Sequence, residues 1–259
     1  MLIYVKRKSV KKTWYKLLQE VLKDGIEIKT EYDNEYTLLS KDVTAAIEIT
    51  EPFSDPIIKN NGKKLLINTK YGNTYSLYGS LADTILIMSI KSGYIEEIID
   101  GYSDHLIRDN NLGLSYTYHD RLFKYRPKST SWFKINQIEL AIKKLKKYPY
   151  TRRAQAITWK PVEDPGRSDP PCLQRIWLRI INNKLSMQTC WRSRDLLKAW
   201  EANVNGMIQL QKKIANKLNV EIGDYIEFIN SLHIYGNDII KAKKLLEKIK
   251  IREGDKYFD

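Results

Sequence analysis

The chain has 259 residues, 42% of them hydrophobic and 29% charged, a balance that suits a soluble globular protein and excludes a disordered one. Its 44 Lys and Arg against 31 Asp and Glu give a net charge of +13, which favours an anionic partner: nucleic acid, a phosphorylated metabolite or an acidic membrane surface. The longest apolar run, near Thr84–Ile90, is closed by Lys91 and is too short to cross a bilayer. The N-terminus becomes basic only after its apolar start, the reverse of a signal peptide, so a cytoplasmic protein is expected.

In chain order, Val10, Trp14, Leu17, Leu18 and Val21 recur at helical spacing from Ser9 to Leu22, with Asp24-Gly25 as a stop. Thr44–Thr50 reads as a strand ended by Pro52 and Pro56. A mainly helical region is expected from Ser80 to Asn110, and Ile138, Ile142 and Leu145 stripe a helix that stops at Pro149. Arg152–Trp159 reads as a strand and Pro161–Gly166 as a loop. Arg175–Ile181 and Leu185–Trp191 resemble a hairpin with Asn182-Asn183-Lys184 at its tip. Met207, Leu210, Ile214 and Leu218 mark the core face of a further helix. Ile222–Ile234 is a strand and Asp238–Lys250 a last amphipathic helix. Helices mixed with non-alternating strands indicate an α+β fold, and no linker divides it, so a single domain over residues 1–259 is expected.

The residues that carry chemistry lie in the second half. Asp169-Pro170-Pro171-Cys172 sets a thiol at the end of a stiff turn, and a nearby cation raises the thiolate fraction of such a group. Arg192-Ser193 makes a phosphate clamp, since an arginine fork binds phosphate bidentately and stays charged. Asn203 offers a donor and an acceptor, which matches the carbonyl and ring N–H of uracil; an aspartate there would suit cytosine instead. His233 and Tyr235, two apart on a strand, face one side and can hold a ribose hydroxyl. Two cysteines and three histidines (His105, His119, His233) lack the close pairs of a zinc site, so no metal is expected.

The order Arg152-Arg153, Pro170-Pro171-Cys172, Arg192-Ser193-Arg194-Asp195, Asn203 and His233-Ile234-Tyr235 resembles the thymidylate synthase family over roughly residues 112–236. The resemblance implies a mixed sheet flanked by helices, with two sheets packed back to back in a homodimer. It implies that Cys172 adds to carbon 6 of deoxyuridylate (dUMP), after which carbon 5 attacks the methylene of a reduced pterin. Loss of the carbon-5 proton and a hydride from the pterin then complete the methyl group of dTMP. The carrier would be 5,10-methylenetetrahydrofolate or methylenetetrahydromethanopterin. Leu112–Tyr116 resembles the family's Gly-x-x-Tyr segment, which makes Tyr116 the candidate for proton abstraction. Asp195 corresponds to the pterin contact, and Arg152 and Arg153 to the pair that reaches the phosphate of the neighbouring subunit.

The chain departs from the family at several points. Leu173 follows the cysteine where many members carry histidine, Trp191 stands where glutamine is common, and Glu201-Ala202 replaces Pro-Phe. The N-terminal third lacks the Arg-Thr-Gly loop and the helix bearing a catalytic glutamate, for which Glu96 and Glu97 are the nearest carboxylates. Short archaeal members share these absences and the Asp-Pro-Pro-Cys-Leu wording. Three alternatives stay open: a pyrimidine-nucleotide hydroxymethylase, which captures the methylene with water; a nucleotide-binding relative without catalysis; and a regulator that binds RNA, a role that a synthase can also hold as a secondary one.

Overall fold

The computed structural model describes residues 1–33, 35, 36, 38–54, 64–68, 74–78 and 116–253. The helical region expected from Ser80 to Asn110, with Glu96 and Glu97, lies outside them, as do Leu112–Ser115 of the Gly-x-x-Tyr segment. In chain order the strands are β1 (Leu2–Arg7), β2 (Ile26–Ile28), β3 (Ser40–Ile49), β4 (Lys64–Asn68), β5 (Thr74–Tyr78), β6 (Ala154–Ile157), β7 (Leu173–Ile181), β8 (Lys184–Trp191), β9 (Arg194–Asp195) and β10 (Glu221–Ile234). The helices are α1 (Val10–Asp24), α2 (Tyr118–Phe123), α3 (Gln137–Lys147), α4 (Trp200–Leu218) and α5 (Ile239–Glu253).

Eight strands form one mixed sheet in the order β1-β3-β10-β8-β7-β6, with β2 beside β3 and β9 beside β10, while β4 and β5 pair separately. The β1/β3, β10/β8 and β10/β9 pairs are parallel and the other pairs of this sheet are antiparallel. This is an α+β fold. The expected hairpin is β7–β8, and its two-residue tip has Asn182 and Asn183 at φ of 49° and 60°. Both values belong to the turn whose twist matches the flanking strands, and asparagine tolerates them. No helix among the described residues is long and apolar enough to cross a membrane.

Burial alternates along the sheet. In β10, Tyr225, Glu227 and Ile229 are buried, whereas Phe228 is 46% exposed. The buried side meets α1, α3 and α4. Helix α1 begins at Ser9, whose hydroxyl accepts the Lys12 N–H at 3.3 Å, and ends where the Gly25 N–H reaches the Val21 carbonyl. It buries Val10, Trp14, Leu17, Leu18 and Val21, and each such side chain contributes roughly 1.5–3 kcal/mol. The Trp14 indole N–H also donates to the Leu196 carbonyl at 2.9 Å, which ties α1 to the segment after Asp195.

Two irregularities bear on function. The β7–β8 register shifts between Leu173 and Arg175, and the β10–β3 register shifts between Ile229 and Leu232. Bulges of this kind re-aim the side chains beside them; here the neighbours are Cys172 and His233. Gly236 follows Tyr235, and a Cβ there would overlap the Leu38 carbonyl, so only glycine lets the chain pass.

Candidate active site

Cys172 precedes the first residue of β7, and the Arg192 N–H donates to its carbonyl at 2.9 Å across the hairpin. The Arg192 guanidinium turns back onto the same segment. Its Nε donates to the Pro171 carbonyl at 3.1 Å and its Nη2 to the Pro170 carbonyl at 2.5 Å, with Asp169 at 3.8 Å. Proline has no N–H, so these two carbonyls lie in a turn without backbone donors of its own, and the arginine supplies them.

Burial pushes the Cys172 thiol above its ordinary value, while Arg192 and then Arg194 pull it down and Asp169 pushes it up. The net direction is upward, so burial outweighs the cations in the free chain. In a Cys190→Ser background, alkylation by iodoacetamide should therefore be slow at neutral pH and rise with an inflection above that of an ordinary thiol. Arg192→Ala should move the inflection higher still. An inflection at or below the ordinary value would mean that the cations dominate.

Behind the thiol lies a buried polar network that neither motif nor spacing suggested. Arg194 and Glu227 are an ion pair at 3.0 Å with side chains 1% and 0% exposed. Glu227 also accepts from the Trp200 indole at 2.7 Å and from the Tyr225 hydroxyl at 2.6 Å. The Arg194 guanidinium stacks 3.7 Å from the centre of the Trp191 ring, which accounts for a tryptophan at 191. Arg194 Nη1 also donates to Asn203 Oδ1 at 3.5 Å. Because arginine only donates, it selects the amide oxygen and turns the nitrogen away. Asn203 is 5% exposed, and its Nδ2 is without a partner among the described residues.

Asp195, His233 and Tyr235 come together at the end of β10. His233 pairs with Asp195 in the β9–β10 register, and the Leu196 N–H reaches the His233 carbonyl at 2.8 Å. One Asp195 oxygen, Oδ1, accepts the N–H groups of Leu197 and Lys198 at 2.9 and 3.0 Å. Burial raises the Asp195 carboxyl, against the Lys198 N–H and the His233 charge. The His233 and Tyr235 rings meet edge to face at 4.5 Å. His233 Nδ1 lies 3.4 Å from the Ser231 hydroxyl, whereas its buried Nε2 has no partner among the described residues. Burial, with Asp195, Tyr32 and Cys172 nearby, drives the Tyr235 hydroxyl far above its ordinary value. Tyr32 was not foreseen: its ring meets Tyr235 at 5.5 Å, and its hydroxyl is raised by burial and by Glu31 and Asp169.

The remaining candidates are arranged as follows. Ser193 sits half-buried in the bend after Arg192. Tyr116 packs under the Arg121 guanidinium at 5.2 Å and meets Tyr118 at 6.0 Å. Tyr118 is the tyrosine whose hydroxyl accepts the Leu173 N–H, at 3.4 Å, next to Cys172. Arg152 and Arg153 are exposed at the start of the edge strand β6. Since Ala154 pairs with Leu178, they lie toward the far end of β7 from Cys172, roughly 25 Å along the strand. They do not reach the thiol of their own chain.

This region thus holds a half-buried thiol, an arginine fork on its turn and two buried nitrogens, Asn203 Nδ2 and His233 Nε2, without hydrogen-bond partners among the described residues. The family model described as thymidylate synthase matches residues 13–254, and the chain belongs to that family. It is 32% identical over 239 residues to a protein of Methanocaldococcus jannaschii named "Putative thymidylate synthase", covering 90% of this chain and 91% of the relative. A protein of the same name from Methanothermobacter marburgensis is 26% identical over 90% of this chain and 93% of its own length. The "Thymidylate synthase" of Wigglesworthia glossinidia brevipalpis is 32% identical over 71% of this chain and 68% of its own length.

Proposed function

We propose that the chain catalyses the reductive methylation of dUMP to dTMP, as one domain acting within a cytoplasmic homodimer. The observation that supports this most is the pair of unpartnered buried groups, Asn203 Nδ2 and His233 Nε2, on the elements that frame Cys172. Burying a polar group without a partner costs about 1–3 kcal/mol, and a pyrimidine nucleotide repays both. Asn203 Nδ2 donates to a base carbonyl. Its oxygen, with a second lone pair beyond the Arg194 contact, accepts the ring N–H. His233 and Tyr235 meet the ribose, and Arg192 and Ser193 meet the phosphate.

In this reading the Cys172 sulfur bonds to carbon 6 of the base, and the electron pair released makes carbon 5 a nucleophile. Methylenetetrahydrofolate or its methanopterin counterpart supplies the one carbon and then the hydride. A base removes the carbon-5 proton, with Tyr116 the candidate and Tyr118 the nearer neighbour of the Cys172 backbone. The carbon–sulfur bond breaks at the end, so the thiolate returns and the pterin leaves oxidised. Oδ2 of Asp195, without a hydrogen bond among the described residues, is the atom that would contact the pterin.

Arg152 and Arg153 reach a phosphate only from another chain. The sheet face turned away from the helices supports that assembly: it presents Tyr4, Phe228, Ile157 and Ile181 at 63%, 46%, 38% and 47% exposure, an apolar surface suited to a second copy.

Product mass spectrometry after incubation with dUMP and each methylene carrier tests the proposal, together with tritium release from carbon-5-labelled nucleotide. dTMP with stoichiometric tritium release is the expected result. A hydroxymethyl product would identify a hydroxymethylase instead, and no release with either carrier would leave nucleotide binding without catalysis.

A further inference from the structure

A polar hollow has Tyr116 on its lining and otherwise none of the residues assigned to the Cys172 chemistry. It has a volume of about 300 Å³ and is lined by Arg121, Lys124, Arg126, Lys134, Lys160 and Arg167, with Asp120 the carboxylate on its wall. Two further carboxylates stand behind the wall. Asp164 receives the Arg121 fork at 2.7 and 3.0 Å and lies 3.1 Å from Arg167. Glu163 pairs with Lys160 at 3.3 Å and Arg167 at 3.5 Å. Lys124 reaches Asp120 at 3.7 Å. Arg126 and Lys134 make no ion pair among the described residues, so six cations converge on one hollow against three carboxylates.

The electrostatics of the wall carry the mark of this crowding. Burial and the neighbouring Arg121 both lower the Lys160 ammonium. Burial opposes ionisation of Glu163, yet the Ser129 N–H and hydroxyl and Lys160 hold its carboxyl down at about 2. The rim is a closed loop: Tyr125 and Ile135 exchange backbone hydrogen bonds at 2.9 and 2.8 Å, and Ser129 is fastened to Glu163 by its N–H at 2.5 Å and its hydroxyl at 2.8 Å. This loop presents Trp132 at 91% exposure, its ring meeting Phe133 edge-on at 5.7 Å.

A fixed hollow with three cations in excess suits an anion of several charges, since a single phosphate carries at most about two. The same loop that supplies Arg126, Ser129 and Lys134 to the lining carries Trp132, and an indole so exposed offers a stacking surface for a planar ring. Nucleic acid would call for cations drawn out along a groove, whereas these face one cavity at the lower end of the size range for small ligands. We propose that this hollow binds the phosphate chain of a nucleoside polyphosphate, with the base stacked on Trp132. The site does not rest on the Cys172 chemistry and shares no assigned contact with dUMP beyond the neighbourhood of Tyr116.

Titration calorimetry of the full chain at about 0.15 M salt, using ATP, inorganic tripolyphosphate, adenosine and a single-stranded oligonucleotide as probes, tests the proposal. ATP should bind more tightly than tripolyphosphate, and adenosine only weakly. Arg126→Ala/Lys134→Ala should weaken both phosphates by about tenfold or more. Trp132→Ala should weaken ATP by a few-fold, roughly the stacking contribution, and leave tripolyphosphate unchanged. These are surface side chains, so far-UV circular dichroism should stay the same, and so should any dUMP binding. ATP affinity weaker than about 1 mM, or affinity indifferent to Arg126→Ala/Lys134→Ala, overturns the site. Equal binding of ATP and tripolyphosphate, unmoved by Trp132→Ala, overturns the nucleotide assignment. An oligonucleotide that outcompetes ATP overturns it in favour of a nucleic-acid surface.

Discussion

Cys172→Ala is expected to lower turnover by about four orders of magnitude or more, because the remaining groups can bind and orient the base but cannot form the covalent adduct. Nucleotide binding should survive. In the proposed reading Arg192, Ser193, Asn203 and His233 hold the ligand independently of the sulfur, and the substitution removes one atom from a half-buried position. Equilibrium binding of dUMP to the variant, measured beside its turnover, separates the two effects. Turnover within about tenfold of the parent would remove Cys172 as the nucleophile. The same variant reports on assembly. Mixed with Arg152→Ala protein, it should regain part of the activity, since one hybrid site then holds an intact thiol and an intact arginine pair. Absence of recovery would mean that each chain supplies its own phosphate contacts.

Glu227→Ala is expected to destabilise the fold by about 3–5 kcal/mol, the usual cost of leaving a buried charge unpaired. Arg194 would lose its partner at 3.0 Å, and the Trp200 indole and Tyr225 hydroxyl would each lose an acceptor. Such a loss is a large part of the stability of an ordinary domain. Glu227→Gln should cost less, because the amide keeps an acceptor for one of the three donors. It should still weaken dUMP binding, since Arg194 also sets the direction of the Asn203 amide. Urea denaturation of both variants gives the comparison, and a loss below about 1 kcal/mol for the alanine variant would show that the network carries little of the stability.

The longer helices and half of the strands are legible in the sequence because their apolar periods are clean: α1, α3 and α4 fall where Val10–Val21, Ile138–Leu145 and Met207–Leu218 place them, whereas the short α2 was not expected. Strand β1 was hidden by its charge. Ile3 and Val5 point inward, while Tyr4 and Lys6 face outward and meet Glu48, so the basic run at Lys6 masked a short alternation. The strand expected over Arg152–Trp159 is only Ala154–Ile157, flanked by the exposed arginines and by Thr158, whose N–H still reaches the Gln174 carbonyl while its hydroxyl bonds the Leu173 carbonyl.

In the site, motif order brought Cys172, Arg192, Asp195, Asn203 and His233 forward, since each lies in a short recognisable string. Arg194, Glu227 and Tyr32 could not be found that way. Arg194 occupies the variable place of its string, and Glu227 looks like any charge on a strand until β9 is laid against β10. Tyr32 reaches Tyr235 only because the chain returns past Leu38 and Gly236.

The Arg192 fork has one further consequence. In the free chain two of its five N–H donors already bond the Pro170 and Pro171 carbonyls, so a phosphate that takes this edge of the fork, as proposed, would trade those bonds for its own. Part of the attraction is cancelled by the bonds given up, which makes the ligand's net gain smaller than a vacant fork would allow. The proposed exchange would also reach the thiol: a guanidinium drawn off these carbonyls would leave the turn before Cys172 held by the backbone bond from Arg192 N–H to the Cys172 carbonyl. A nucleoside lacking its phosphate would leave both side-chain bonds in place.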